Sequence, residues 1–283
     1  MSARILLLFS GGLDSLLAAR LLTEVGAEVQ ALHFVTPFTG SMDKLGGEGY
    51  LGEWGIPIRR VKVSFAEFRP LLETPPHGFG RALNACIDCK ILFMRKAKQI
   101  LLAEGFDAVA SGEVLGERPM SQNRQSLDII EREAGLQGLL LRPLSAQLLP
   151  ETEVEKKELI VRDKLLAIEG RSRKPQLVLA ERWGIGEFAT PAGGCLLTEP
   201  QYSNKLGDLL DRPEEATDET VGLLKTGRHF RYPGGPKLIV GRNQEENEKL
   251  LVFAENKGDV LRDVLRVEVR GSGSPIGLLF AGI

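Results

Sequence analysis

The sequence predicts an α/β fold: a parallel sheet sandwiched by helices, followed by a small α+β module at the C-terminus. Three observations predict it. Short apolar runs of strand length alternate with segments whose apolar residues recur at helical spacing, the pattern of crossover-connected parallel strands. A glycine-rich turn joins the first such run to the first helical segment. Composition shifts near Gly170 and again after Asp211-Arg212-Pro213. These shifts set the expected domains: residues 1–170, a connecting segment over 171–224, and a small module over 225–283.

Residues 5–9 form the first apolar run, with the character of a buried strand. Leu16, Leu17, Ala18, Leu21 and Leu22 then recur at helical spacing as far as Val25, and Gly26 is the stop. Residues 29–35 and 58–63 read as the second and third strands, separated by a polar, glycine-rich stretch over 36–55. Residues 72–83 contain Pro75-Pro76-His77-Gly78-Phe79-Gly80-Arg81, a loop that excludes regular structure. Asn84 reads as an N-cap, and 86–104 as a helix. Strands follow at 107–111 and 139–141, then a helix over about 154–168. There is no internal repeat and no low-complexity tract.

The 283 residues, 31.0 kDa, are 43% hydrophobic and 26% charged, which describes a globular chain of one large or two ordinary domains. A net charge of −2 and a pI near 6.1 require any nucleic-acid surface to be a local patch. No apolar run approaches the ~20 residues of a membrane helix. The opening apolar run is too short for a secretory signal, so a cytoplasmic location is expected. Three cysteines, an odd count, argue against a disulfide framework.

Ser10-Gly11-Gly12-Leu13-Asp14-Ser15 is the chemical centre of the sequence. A loop between a strand and a helix N-terminus offers free backbone N–H groups and the positive end of the helix dipole to one anion. That dipole contributes about 0.3–2 kcal/mol, enough to position an anion but not to hold it unaided. Gly11 and Gly12 admit a phosphate close to the main chain, and the hydroxyls of Ser10 and Ser15 can donate to it. The loop lacks the Gly-Lys-Ser/Thr of a Walker A and the spacing of a dinucleotide turn. Asp14 would repel a phosphate unless a divalent cation bridged them. The plain alternative is an ordinary glycine-rich turn.

Cys86 and Cys89 fall in the first turn of their helix, about 60° apart around its axis. A helix N-terminus is expected to lower a thiol pKa. Cys195 lies far downstream in Pro191-Ala192-Gly193-Gly194-Cys195, where glycines allow a close turn. Zinc wants four ligands, and His33, His77 and His229 show no ligand spacing. Three thiolates suit a [4Fe–4S] cluster with one iron open. Three unrelated buried cysteines are the plain alternative.

Ser10 to Ser15 resembles the signature of the PP-loop ATP pyrophosphatases, whose fold is adenine nucleotide alpha hydrolase-like. Members adenylate a substrate oxygen and release pyrophosphate. With Cys86, Cys89 and Cys195 the chain is similar to iron–sulfur tRNA thiolases of that family, which implies that these three hold the cluster beside the ATP. Cluster-free thiouridylases imply the alternative, one cysteine carrying a persulfide and another pairing with it. Ser111-Gly112-Glu113-Val114-Leu115-Gly116, Ser121-Gln122 and Arg142-Pro143-Leu144 resemble 4-thiouridine synthases, where such loops line the nucleotide and the base.

The resemblance implies ATP, Mg²⁺ at Asp14, and a sulfur donor, either sulfide or the persulfide of a cysteine desulfurase. It also implies a Lys facing the phosphates, here Lys156 or Lys157, against the plain alternative of a solvated helix face. Ser10, Gly11, Gly12, Asp14, Ser15, Gly112 and Glu113 are the implied ATP residues. His33 is carried with them, although a histidine inside a strand reads first as a core or edge residue. The RNA-binding modules that precede this loop in 4-thiouridine synthases, a rhodanese-like domain and zinc-finger cysteines are not expected here. A homodimer is the expected assembly, and no membrane partner is expected.

Arg171, Arg173 and Lys174 cluster beside Pro175. From 225 to 242 there are five basic residues (225, 228, 231, 237, 242) and no acidic one, with Phe230 and Tyr232 interleaved. Cations with aromatics suit phosphate contact and base stacking in RNA, with Arg228 and Arg231 as contacts. A solvated positive face is the plain alternative. Gly227 to Arg231, Val240 to Asn243 and the acidic helix after them resemble the RNA-binding module of ribosome-quality-control proteins (NFACT-R).

Overall fold

The computed structural model describes residues 2–38, 45–188, 195–233, 235–256, 264–268 and 275–280. The expected turn at Pro191 to Gly194 lies outside them, as do the last three residues. The described chain groups into two compact units.

The first unit, residues 1–63 and 70–198, is built on five parallel strands: β1 (Arg4–Leu8), β2 (Glu28–Val35), β3 (Ile58–Lys62), β4 (Ala108–Ser111) and β5 (Leu140–Leu141). Their order is β3-β2-β1-β4-β5, so the chain reverses direction across the sheet between β1 and β4. The central strand is covered on both faces, and Ile5, Leu6 and Leu7 are fully buried. That explains its continuous apolar run rather than an alternating one. β3 lies at an edge, and none of its five residues is buried.

α1 (Leu13–Glu24) buries Leu13, Leu16, Leu17, Leu21 and Leu22, each worth about 1.5–3 kcal/mol against exposure. α2 (Glu48–Glu53) follows β2, and α3 (Phe65–Glu73) gives its first residues to the second unit. α4 (Cys86–Glu104) lies on the sheet, with Phe93 stacked on Phe34 at 4.7 Å, and ends at Gly105 in the left-handed region. α5 (Arg124–Ala134) is capped by Asn123, whose side chain accepts from the Ser126 N–H.

Three details differ from expectation. Asn84 does not cap α4: its backbone carbonyl accepts from the Gly80 N–H to close the preceding turn, and the cap position is Ala85. The helix expected over 154–168 is one turn, α6 (Glu153–Lys156), followed by a 3₁₀ turn at Arg162–Lys164. Glu158 has a φ of 54°, and the Ile160 N–H turns back to the Val154 carbonyl, which carries Ile160 and Leu165 into the core. α7 (Lys174–Arg182) packs against α1, so residues 171–198 group with the first unit rather than forming a separate connection from residue 171.

The second unit, residues 64–69 and 199–283, contains α8 (Pro200–Leu210), α9 (Asp218–Leu223), β6 (Arg228–Arg231), β7 (Lys237–Val240), α10 (Gln244–Asn256), β8 (Val264–Val267) and β9 (Gly277–Phe280). Its antiparallel sheet has the order β6-β7-β9-β8. Leu223, Ile239, Leu250 and Leu278 form its core. No helix among the described residues is long and apolar enough to cross a membrane.

Candidate nucleotide and thiol site

In a parallel sheet the crevice outside the strand carboxyl ends, at the point where strand order reverses, is where ligands bind. Here that point lies between β1 and β4, and Leu8 pairs in register with Ser111. The loop after β1 therefore faces the turn after β4. Gly11 has a φ of 77°, and a Cβ there would stand 2.8 Å from the Gly46 carbonyl oxygen. No side chain caps α1, whose N-terminus is open to an anion. The Ser15 hydroxyl is used inside the loop: it donates to the Gly12 carbonyl at 2.7 Å. Ser10 Oγ accepts from the Gly12 N–H at 3.4 Å.

Gly112 packs directly on this loop. A Cβ at 112 would lie 2.5 Å from the Asp14 carbonyl carbon and oxygen and 2.6 Å from the Ser15 nitrogen. Glu113, next along, is buried in an ion network. Lys90 donates to Oε1 at 2.5 Å, and Arg142 and Ser111 donate to Oε2 at 3.1 Å each. Those two cations hold its carboxyl down at about 2, against the desolvation that would raise it. With both oxygens engaged, Glu113 positions the turn rather than facing a nucleotide. His33 is placed likewise: its Nδ1 donates to the Phe9 carbonyl at 2.9 Å, and burial lowers its pKa.

Lys90 follows Cys89, so the Glu113 network fastens the cysteine-bearing end of α4 to the turn beside Asp14. The same end is held from the other side by His77, whose Nδ1 donates to the buried Asp88 at 2.7 Å and whose Nε2 donates to Glu133 at 3.1 Å. Cys195 reaches the same edge of the sheet, because the Leu196 N–H donates to the Phe38 carbonyl just past β2. Cys86 and Cys195 both lie near enough to Cys89 for their charge to act on its thiol. Burial pushes the Cys89 thiol well up, and the charges of Cys86 and Cys195 push it further. Cys195 is also raised, by burial first, although part of the residue is exposed. The lowering expected at a helix N-terminus is thus outweighed at Cys89 by desolvation and like charge.

Arg118 favours the charged form of Asp14 and also that of Cys195, an attraction that decays within about 10 Å. Arg173, expected to contact RNA, instead stands by the loop, with its Nη2 4.0 Å from Asp14 Oδ1 and its Nε 3.6 Å from Glu117. Burial raises Asp14, and burial together with Asp14 raises Glu117. Arg118 and Glu117 lie in a stretch without a charge motif, and only the chain fold brings them to the loop. Lys156 is exposed and pairs with Glu153 at 2.9 Å, a partner of its own turn and not of the loop.

Two groups implied by the resemblance can be tested against these residues. Asp14 Oδ1 is buried without a hydrogen-bond partner, an open hard donor that fits Mg²⁺. The three sulfurs fit an iron–sulfur donor set, and a bound cation would relieve the repulsion that raises Cys89. Among the described residues, however, no three His, Cys, Asp or Glu side chains are arranged as a ready metal cage.

The tail cations are mostly spent on acids. Arg231 donates to Asp208 at 2.8 and 3.0 Å and to Glu215 at 2.7 and 3.0 Å. The buried Lys237 donates to Asp208 at 3.0 Å, and Arg242 pairs with Glu246. Arg231 is therefore a structural cation and not the RNA contact expected of it. Arg228 is exposed, with Phe230 and Tyr232 about half exposed after it, and Arg171 and Lys174 are exposed in the first unit.

A parallel sheet with a glycine-rich loop at its switch point defines an open-sheet α/β protein. A family model described as Thiamine biosynthesis protein (ThiI) matches residues 1–147, just over half of the sequence, and the chain belongs to that family. It is similar to a probable tRNA sulfurtransferase of Brevibacillus brevis, 30% identical over 150 residues, covering 51% of this chain and 36% of the relative. A tRNA sulfurtransferase of Desulfurococcus amylolyticus is 27% identical over 144 residues, covering 50% and 30%. The chain thus spans about a third of the length of these relatives. Among solved structures, the U34-tRNA thiolase NcsA from Methanococcus maripaludis with its [4Fe-4S] cluster aligns with a TM-score of 0.37 and 18% identity. That alignment covers 79% of this chain and 73% of the thiolase, an overlap too loose to carry the cluster across.

Proposed function

We propose that this chain is an ATP-dependent sulfur transferase that replaces a base carbonyl oxygen of tRNA with sulfur. A carbonyl oxygen is a poor leaving group, whereas an adenylate is a good one. The loop at 10–15 and the α1 N-terminus would hold the ATP phosphates, with Asp14 carrying Mg²⁺ to offset the charge developing on pyrophosphate. The base oxygen attacks the α-phosphorus and pyrophosphate leaves. Sulfur then attacks the adenylated carbon and AMP departs. The observation that supports this reading is that the turn after β4 meets both the loop and the cysteine-bearing end of α4: Gly112 packs on the Asp14 backbone, and Glu113 pairs with Lys90, the neighbour of Cys89.

Cys86, Cys89 and Cys195 would hold the sulfur. A [4Fe–4S] cluster, when bound, supplies an open iron to carry sulfide. The persulfide version is the second reading, favoured because no three-ligand cage stands ready among the described residues. There the terminal sulfur of one persulfide attacks, a second thiol breaks the S–S bond, and a reductant must reopen the resulting disulfide. Arg171, Lys174 and Arg228 are the exposed cations left to meet tRNA phosphates in a cytoplasmic setting.

The test has two parts. Incubating the protein with ATP, Mg²⁺, tRNA and sulfide or a persulfide donor should give tRNA-dependent pyrophosphate and one thiolated nucleoside by mass spectrometry, and Asp14→Ala should abolish both. Anaerobically purified protein should carry iron and visible absorbance that Cys195→Ala removes. Iron-free wild type that still thiolates tRNA selects the persulfide version. Pyrophosphate formation indifferent to tRNA would overturn the tRNA reading.

A further inference from the structure

The acidic centre of the loop has a second carboxylate that the motif does not contain. Glu117 comes from the turn after β4, held by bonds from the Glu117 N–H to the Val114 carbonyl at 3.2 Å and from the Gly116 N–H to the Gln122 carbonyl at 2.7 Å. Gly112 packs that turn against the Asp14 backbone. The Glu117 side chain is only 8% exposed, its Oε2 has no donor to accept from, and its carboxyl lies within hydrogen-bond reach of the Asp14 carboxyl, so the two can pair only through a shared proton. Asp14 Oδ1 is in the same state. Arg173 stands beside both, yet at 3.6 and 4.0 Å it is beyond hydrogen-bond distance, and its buried Nε also lacks an acceptor.

A buried polar atom without a partner costs a folded chain stability unless a ligand supplies one. An anion does not suit this place, because two carboxylates would repel it. A hard divalent cation does, since Mg²⁺ takes one or two carboxylates and fills its octahedron with water and phosphate oxygens. We propose that Asp14 and Glu117 together seat a single divalent cation, with Arg173 as the adjacent guanidinium that offsets their charge until the cation arrives. The inference rests on the loop being a Mg²⁺–ATP site, and it assigns to Glu117 a role that the loop motif leaves open.

Mn²⁺, as the probe, is titrated into the full chain and followed by the electron paramagnetic resonance of the free ion, with and without α,β-methylene-ATP. Wild type should bind one Mn²⁺ that Mg²⁺ displaces. Glu117→Gln, nearly isosteric, should weaken that binding at least about tenfold, and Asp14→Asn should do likewise. Circular dichroism melts of the same variants report folding. A Glu117→Gln protein that binds Mn²⁺ like wild type, whatever its melting temperature, overturns the inference; if Asp14→Asn still loses binding, the loop reading stands. Wild type that takes up no Mn²⁺ in either condition, or loses none in either variant, overturns both.

Discussion

Glu113 joins the two halves of the candidate site through its ion pairs. Its carboxylate lies between Lys90, next to Cys89, and Arg142, and it is held at about 2 against an ordinary 4.5. A depressed carboxylate contributes stability that is complete above pH 4.5 and lost as pH falls toward 2. Glu113→Ala strips the half-buried Lys90 of its carboxylate and leaves the buried Arg142 only Glu131, and it should cost about 3 kcal/mol in urea unfolding, with a shallower loss on acidification than wild type. Gly112→Ala acts differently. Its new methyl would press on Asp14 backbone atoms that cannot swing away, so nucleotide binding measured by calorimetry should fall sharply, along with about 1–3 kcal/mol of stability. Both residues belong to the Ser-Gly-Glu motif legible in the sequence, but their roles as network hub and close packer were not. A motif records residue types, whereas which cation reaches a carboxylate depends on helices far away in the chain.

At the scale of elements, the first turn of α4 depends on a clamp. His77 bridges Asp88 and Glu133, and these acids raise its pKa above the ordinary 6.5. A raised histidine gives stability that is complete below pH 6.5 and lost as pH rises through the folded value. Hydrogen exchange at residues 86–90 should therefore quicken as pH rises above 6.5 by more than the intrinsic pH trend, and His77→Ala should remove that excess. The strands of the parallel sheet were legible within a residue or so, most directly at β1, β4 and β5, whose apolar runs are buried. The helix expected over 154–168 was not. Its apolar spacing comes from residues that enter the core after a reversal at Glu158, and helical periodicity cannot distinguish one turned helix from two short turns.

The whole molecule decides which charges meet solvent. The basic run from 225 to 242 reads as a nucleic-acid surface in one dimension, but Asp208, Glu215 and Glu246 arrive from α8, the turn after it and α10 to neutralise most of it. Arg231→Ala should thus lower stability by about 1–3 kcal/mol through unpaired acids while leaving tRNA affinity at fixed salt little changed. Arg228→Ala should do the reverse, weakening tRNA binding and reducing its salt slope by about one charge with no loss in thermal melting. Filter binding across a salt series checks both.

The amino-acid sequence alone determined the class of this protein. A strand, a glycine-rich loop and a helix are contiguous, so local chemistry carries their meaning, and the apolar runs that make the sheet are local too. Three-dimensional packing decided the rest: that Cys195 returns to Cys86 and Cys89, that Arg173 attends Asp14 rather than RNA, and that Glu117 joins the loop. Electrostatic pairing acts through space and desolvation depends on every neighbour, so neither is readable from the order of residues along a chain.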